Sequence, residues 1–212
     1  WPMTLLELGS SAGLNLWPEQ WHYDYGAWHW GDRLAPLTLS AEWVGPVPSG
    51  FPPALKIAER QGCDLAPIRL QEPDDALRLM SYVWPDQRHR LDRLQTAISA
   101  VRLLQADGPA GQLTAAGAGD FLERALCSAR PGQWTVVMHS IVWQYVPLAE
   151  QARAEQLLQA AGARATAAAP LAWLRMEPPE PDQAVELVLT QWPTGQTRTL
   201  ARAHPHGQQL QW

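Results

Sequence analysis

The sequence predicts a three-layer α/β fold, in which a mostly parallel sheet of seven strands lies between helices and ends in an antiparallel hairpin. Three observations support this prediction. The chain opens with an apolar run that stops at a glycine-rich turn, strand-like and helix-like segments then alternate, and two strand-like segments flank a WPTGQ turn near the end. A chain of 212 residues is within the size range of one domain, so residues 1–212 are expected to form a single unit.

Seven segments have the apolar or alternating character of strands. They are Met3 to Leu8, Leu55 to Glu59, Gln112 to Ala116, Trp134 to Met138, Leu171 to Met176, Ala184 to Thr190 and Thr197 to Ala203. Trp134 to Met138 is a continuous apolar run, which is typical of a strand that is buried on both faces. The last two segments are expected to pair across the WPTGQ turn.

Helical segments are predicted between the strands from apolar periodicity and from end signals. They are Glu72 to Ser81, Asp86 to about Gln105, a helix that begins at Asp120, and Leu148 to Ala161. Asp120 and Glu123 have the spacing of a capping box, and Gly162 is expected just after the end of the last helix. Four arginines of the second helix are expected to form its solvated face, with binding of a substrate anion as the alternative: Arg88, Arg90, Arg93 and Arg102.

Composition restricts the class of partner. A net charge of −5 argues against a broad nucleic-acid surface, so a small-molecule ligand is expected, and the composition carries no sign of an oligomeric state. Cys63 and Cys127 form neither a disulfide framework nor a zinc-ligand cluster, which favours a cytoplasmic location. No apolar run has the length of a bilayer span, so no membrane association is expected.

The glycine-rich turn at the start of the chain, LLELGSSAGLNL, is the strongest candidate for a binding loop. Gly9 and Gly13 can take backbone angles that other residues avoid, and the first N–H groups of a following helix suit a polar or anionic ligand. The P-loop and GxGxxG patterns both fail here. Two patterns remain besides a purely structural turn: the nucleophile elbow GxSxG, and the ExGxGxG loop of class I methyltransferases with Ser11 in the middle glycine place.

Other candidate residues follow later strands. Asp64 suits either a ribose contact or an ordinary turn, and Asp120 either an adenine contact or a helix cap. His139 lies at the end of the buried fourth strand, where open α/β sheets bind ligands. His204 and His206 are spaced to share a metal ion, but no third ligand is indicated, so a surface or packing role is favoured.

The segment from Trp17 to Trp43 is aromatic and irregular, and two interpretations are open. It forms either an aromatic wall or lid beside the Gly9 loop, or a satellite hydrophobic cluster under a long loop. Residues 45–53, GPVPSGFPP, are too rich in proline and glycine for regular structure and are predicted to be a connection.

Several segments together resemble a bacterial domain-of-unknown-function family whose members look like class I S-adenosylmethionine-dependent methyltransferases. These segments are ELGSSAGLNL, GCDLAPI, YVWPDQ, RLDRLQTAI, VVMHSIVWQY, PLAWLRMEP and HPHG. The resemblance implies a Rossmann-like methyltransferase fold. It also implies an additional, mostly helical region upstream of Trp1, which agrees with an opening directly on a strand.

The resemblance implies S-adenosylmethionine as cofactor and a small-molecule methyl acceptor. The residues expected around the methionine part are Glu7, Gly9, Ser10, Ser11, Ala12, Gly13 and Asn15. Asp64 is then expected at the ribose, Asp120 and Phe121 at the adenine, and His139 as the catalytic base. The alternatives are an α/β-hydrolase-like enzyme, with Ser11 as nucleophile and Asp120 and His204 or His206 completing a triad, and a non-catalytic Rossmann-like binding module.

Overall fold

The fold consists of twelve strands and four α-helices in a computed structural model that describes residues 1–107, 111–180 and 183–212. The strands are β1 Met3–Leu8, β2 His22–Asp24, β3 His29–Trp30, β4 Thr38–Ser40, β5 Glu42–Val44, β6 Ile57–Asp64, β7 Gln112–Ala115, β8 Trp134–Ser140, β9 Leu171–Glu177, β10 Val185–Trp192, β11 Gln196–Ala203 and β12 Gln209–Gln211. The helices are α1 Pro73–Ser81, α2 Arg88–Asp107, α3 Ala118–Ala125 and α4 Leu148–Arg164.

The main sheet has the strand order β5-β12-β11-β10-β9-β8-β1-β6-β7. β1 lies inside the sheet and pairs in parallel with β6 and β8, while β10 is antiparallel to both β9 and β11. The predicted mixed α/β class, with a mostly parallel sheet and an antiparallel hairpin near the end, is therefore confirmed. The predicted number of seven strands is wrong, because the described part of the sheet has nine.

The two extra strands are β5 and β12, which pair in parallel with each other and extend the sheet beyond the hairpin. Each has three residues, which is too few to show a period of two in the sequence. β6 is also longer than predicted, since it runs to Asp64 through the polar residues of ERQGCD. Its pairing with β1 and β7 on both sides, rather than an apolar pattern, makes this segment a strand.

The two faces of the sheet carry separate hydrophobic cores. Leu6 and Leu8 of β1 pack with α3 and α4, and we call this the α3/α4 face. Leu5 packs with α1, α2 and the aromatic N-terminal segment, on the opposite α1/α2 face. Alternate residues of β1 therefore enter different cores, as the period of two in a strand requires. Among the described residues, no helix combines the length and the apolar character needed to cross a membrane.

Helices α1 and α2 confirm the predicted segments to within two residues at each end, and α3 begins two residues before its predicted start, but the predicted end of α4 is wrong. Gly162 lies inside α4, which continues to Arg164. A Cβ at Gly162 would be 2.4 Å from the indole ring of Trp192, so this glycine allows close packing of α4 on β10. The absence of a side chain at Gly162 is therefore explained by its contact with Trp192 of β10, which the local sequence does not show.

The predicted capping box at Asp120 is also wrong. Helix α3 begins at Ala118 after Gly117, so Asp120 lies within its first turn. The carboxylates of Asp120 and Glu123 accept hydrogen bonds from Arg153 of α4, at 2.7 and 2.8 Å. The two acids therefore join α3 to α4 across the surface of the molecule.

The segment predicted to be irregular, Trp17 to Trp43, contains a small sheet of β3, β2 and β4. Its aromatic rings continue into a wider cluster, in which Trp28 stacks on Phe51 at 4.8 Å and Trp43 stacks on Trp212 at 5.4 Å between ring centroids. The cluster joins the N-terminal segment to the end of the chain.

A substitution at Gly162 tests the packing of α4 on the sheet. Alanine favours a helix over glycine, but its Cβ clashes with Trp192, so we expect Gly162→Ala to lower the free energy of unfolding by about 1–3 kcal/mol in urea titrations. Gln159→Ala, at an exposed position of the same helix, is the control. A Trp192→Leu background should reduce the cost of Gly162→Ala, and an equal cost in both backgrounds would contradict the packing explanation.

Candidate functional site

The order of the parallel strands creates a crevice at the carboxyl ends of β1 and β8. The chain passes from β1 to β6 and β7 on one side, then returns to the other side of β1 to form β8 and β9. In open α/β sheets, ligands bind at such a switch point, because loops leave neighbouring strands in opposite directions. The glycine-rich loop after β1 borders this crevice.

The loop has left-handed backbone angles at its glycines and at one serine. The φ angles are 67° at Gly9, 70° at Gly13 and 51° at Ser11. The predicted helix after the loop is wrong, since Leu14–Leu16 forms a single 3-10 turn. The expected array of N–H groups at the start of an α-helix is therefore not formed here.

Protein side chains closely approach this loop. A Cβ at Gly9 would lie 2.3 Å from a methyl group of Val142, and one at Gly13 would lie 2.9 Å from Leu113. Ser10 and Ala12 are buried, and the Ser10 hydroxyl donates to the Cys63 carbonyl at 3.2 Å. Contacts of these loop residues with a cofactor stay a prediction.

Asp64 holds the loop against the end of β6. Its carboxylate accepts hydrogen bonds from the N–H groups of Ser11 and Ala66, each at 2.9 Å. These contacts correspond to the turn role that the sequence offered for Asp64, and the ribose contact stays a prediction. Ser11, which occupies the nucleophile position of GxSxG, therefore has its backbone N–H bound to the Asp64 carboxylate.

Glu7 is buried beneath Asn15 at the carboxyl end of β1. Its side chain is on the α1/α2 face, and its Oε1 accepts a hydrogen bond from Asn15 Nδ2 at 2.8 Å. Burial raises the pKa of Glu7 to about 8, with a smaller effect of the nearby Asp64 charge, whereas the Asn15 hydrogen bond opposes the shift. Glu7 is therefore mainly protonated at neutral pH, because the buried site disfavours its charged form.

A cavity of about 430 Å³ lies beside Asn15 on the α1/α2 face. Its walls come from the residues after the glycine loop, the aromatic segment, helix α2, the end of β9 and the C-terminal tail. The lining residues are Leu14, Asn15, Trp21, Tyr23, Tyr25, Leu37, Leu39, Ser40, Ala41, Val83, Arg90, Arg93, Leu94, Ala97, Met176, His206, Gly207 and Leu210. Five of the segments that carry the family resemblance thus meet at one cavity.

The cavity has a positively charged wall, which contains two of the arginines for which the sequence left anion binding as the alternative. Arg88 is exposed as predicted, but Arg90 and Arg93 are half-buried in the wall and face His206 of the tail. Burial lowers the pKa of Arg93 below its usual range, and the charge of Arg90 lowers it further. Burial likewise lowers the pKa of His206, with added effects of Arg90, His204 and Arg93. His206 is distant from the two arginines in the sequence, which gave no signal that it meets them.

His139 is placed on the α3/α4 face, away from the cavity wall. Its Nδ1 is 2.7 Å from Glu177 Oε1, and its buried ring stacks on Trp143 with ring centroids 4.5 Å apart. The same Glu177 oxygen accepts the N–H groups of Val142 and Trp143. Glu177 and Trp143 thus enclose the His139 ring. The role of His139 as a base stays a prediction.

The remaining predicted residues lie apart from the cavity. Asp120 is exposed and paired with Arg153, while Phe121 is buried in the core of the α3/α4 face. His204 Nδ1 accepts the backbone N–H of His206 at 3.2 Å. Within the described ranges, no three His, Cys, Asp or Glu residues are placed together to hold a metal ion.

The buried Glu7 predicts a dependence of stability on pH. A carboxyl group whose pKa is raised in the folded state favours folding when protonated, and this contribution is lost as pH rises from about 4.3 to about 8. Glu7→Gln keeps an acceptor for Asn15 and cannot ionise. We expect its unfolding free energy, relative to the parent, to increase by about 1 kcal/mol per pH unit in this window.

Urea titrations at pH 5, 6, 7 and 8 measure this difference. Glu155→Gln, at an exposed position of α4, is the control and should keep a constant offset from the parent. A constant offset for Glu7→Gln would show that Glu7 does not titrate as a buried acid.

Comparison with known proteins identifies the family. Neither the curated proteins nor the solved structures include a significant match. The sequence model of one family, DUF2332, described as an uncharacterized protein conserved in bacteria, matches residues 1–212. The expected likeness to a bacterial domain-of-unknown-function family is thus confirmed, while the expected likeness to methyltransferases stays a prediction. Because the match spans the whole sequence, the chain belongs to the bacterial DUF2332 family.

Proposed function

We propose that this chain binds S-adenosylmethionine or a related nucleoside in the cavity beside Asn15, and that it transfers a methyl group to a small-molecule acceptor. The observation that carries the proposal is the position of the cavity, next to the switch point between β1 and β8 on a doubly wound sheet. Glu7, Gly9 and Gly13 match the ExGxGxG pattern at the same strand end, with Ser11 in the middle glycine place. A cavity of about 430 Å³ is also within the size range of small-molecule sites.

One wall of the cavity suits a nucleobase. Trp21, Tyr23 and Tyr25 present aromatic rings to it, and planar bases stack on such rings. Tyr23 is held in place because its hydroxyl donates to the Pro18 carbonyl at 3.0 Å. The same wall supports the interpretation of the Trp17 to Trp43 segment as an aromatic wall beside the loop.

Asn15 supplies a polar group with a fixed orientation. Since its Nδ2 donates to Glu7, its carbonyl oxygen is left to accept a hydrogen bond from a ligand. A ribose hydroxyl or the ammonium group of the methionine part suits this acceptor. A protonated Glu7 keeps the asparagine in place without adding a negative charge close to the ligand.

Methyl transfer depends mainly on an acceptor held in line with the sulfonium, with a base where the acceptor must lose a proton. His139 is the base that the resemblance implies, but a role there requires its ring to be uncovered from Trp143. His206 is the histidine at the cavity wall, and its lowered pKa keeps it neutral at pH 7. We therefore propose His206 as a second candidate for this proton transfer.

The hydrolase alternative has one specific observation in its favour. Ser11 has a φ of 51°, and nucleophile elbows hold serine in a strained turn of this kind. Nδ1 of His139 contacts Glu177, as the histidine of a triad contacts its acid, but among the described residues no hydrogen bond joins a histidine to the Ser11 hydroxyl. This second function is therefore tested directly at Ser11.

Ligand binding is expected to stabilise the protein. S-adenosylhomocysteine at a hundred times its dissociation constant should add about 2.7 kcal/mol, which corresponds to a rise of roughly 5 to 10 °C in Tm for a chain of this length. Differential scanning fluorimetry measures the shift, and NAD is expected to give none. No shift with millimolar S-adenosylmethionine or S-adenosylhomocysteine would contradict the proposed function.

Two variants locate the binding site. Asn15→Ala removes the polar contact and Tyr25→Ala removes an aromatic wall, so each should weaken S-adenosylhomocysteine binding by about tenfold. Tyr145→Ala, at a residue that is 75% exposed outside the cavity, is the matched control for loss of a tyrosine ring. Equal affinity in all four proteins, measured by calorimetry, would place the ligand elsewhere.

Ser11 separates the two enzyme classes. We expect no covalent adduct with a fluorophosphonate, because among the described residues no histidine hydrogen-bonds this hydroxyl to activate it. Intact-protein mass spectrometry detects the adduct, and Ser11→Gly is the control. Stoichiometric labelling that is lost in Ser11→Gly and in a histidine variant would favour the hydrolase over the methyltransferase.

A further inference from the structure

We propose that Arg90, Arg93 and His206 form an anion-binding subsite, so that a molecule bound in the cavity carries a carboxylate or a phosphate group. The inference rests on the proposed function only in taking this cavity as the ligand site. Beyond that function, the positively charged wall is proposed to recognise an anionic group of the ligand.

The two arginines lack the carboxylate partners that Arg60 and Arg153 have. Arg60 pairs with Glu19 at 2.9 Å, and Arg153 pairs with Asp120 at 2.7 Å. In the part of the chain that the structure describes, no carboxylate lies within ion-pair distance of Arg90 or Arg93. Half-buried cations without a counterion carry a desolvation cost that a bound anion offsets.

The local geometry keeps the two positive charges together. Arg90 and Arg93 are three residues apart on α2, so they share one face of this helix with Leu94 and Ala97. The side chain of Arg90 is steadied by a hydrogen bond to the Gln87 side chain. Two guanidinium groups at this spacing can each give paired N–H donors to the oxygens of a carboxylate or phosphate.

The C-terminal tail closes the same wall. His206 and Gly207 reach the cavity because the tail turns back through a hydrogen bond from the Gly207 N–H to the His204 carbonyl at 2.8 Å. β12 then pairs with β11 and fixes the end of this turn to the sheet. His206 therefore adds a third nitrogen-bearing side chain opposite the arginines, without adding a negative charge.

The anionic group that binds Arg90 and Arg93 can belong to either of two ligands. The group is either the carboxylate of the cofactor's own methionine part, or an acidic group of the second substrate. Inorganic phosphate probes the subsite alone, S-adenosylhomocysteine carries the carboxylate, and 5′-methylthioadenosine keeps the nucleoside without it. Calorimetric titration with these three probes separates the sources.

We expect Arg93→Gln and Arg90→Gln each to weaken binding of phosphate by about tenfold or more, since each removes charged hydrogen bonds. Arg88→Gln, at an exposed position of the same helix, should bind as the parent does. A parallel tenfold loss for S-adenosylhomocysteine, with 5′-methylthioadenosine unchanged, assigns the subsite to the cofactor's carboxylate. A loss for phosphate alone assigns it to the second substrate.

The outcomes also separate this inference from the proposed function. Phosphate binding that depends on Arg93, without binding of either nucleoside, supports the subsite and rejects the nucleoside proposal. The inference is overturned when phosphate and S-adenosylhomocysteine keep their affinities in Arg93→Gln, or when neither binds the parent at 10 mM or below. Thermal melts check that the variants fold. If Arg93→Gln is unstable, Arg93→Lys replaces it in the titrations. This variant keeps the charge but loses the paired N–H donors, so its loss of phosphate affinity should be intermediate.

Discussion

Strand β1 lies between β6 and β8 inside the main sheet, and this position determines which of its side chains are buried. Parallel pairing with β6 on one side and β8 on the other buries every side chain from Thr4 to Leu8, whatever its chemistry. The leucines enter the cores on the two faces, but Glu7 must place a carboxyl group inside the protein. Burial keeps this group protonated at neutral pH and pairs it with Asn15, which then borders the cavity. Strand β1 thus lies at the switch point of the sheet and, through Glu7, also holds the side chain of Asn15 in place.

Much of the fold was predictable, because it depends on local periodicity. The apolar run of β8 and the helical spacing of α2 each identify one element, and the structure contains both. Predictions failed where a distant contact decides the outcome. Gly162 was expected to end a helix but makes room for Trp192, and Asp120 was expected to cap one but pairs with Arg153.

The candidate site was predictable only in part. The sequence indicated the loop from Gly9 to Gly13 and gave Asn15 as a binding residue, and Asn15 does line the cavity. The meeting of Arg93 with His206 could not be predicted, because the turn of the C-terminal tail brings them together and no local pattern does. Asp120, which was expected at the adenine, lies on α3, which packs against α4 on the opposite face of the sheet, so its contact with adenine stays a prediction. The cavity itself is lined by the aromatic segment and α2.

We propose that the cavity between Asn15, the aromatic wall and Arg93 binds a nucleoside. A crystal structure of the protein soaked with S-adenosylhomocysteine would show the ligand's position. We expect density for the ligand in the cavity, with its base against Tyr23 or Tyr25 and a polar group within hydrogen-bond distance of Asn15. Density for an ordered ligand at another position, or an empty cavity at a ligand concentration that saturates the protein in solution, would contradict it.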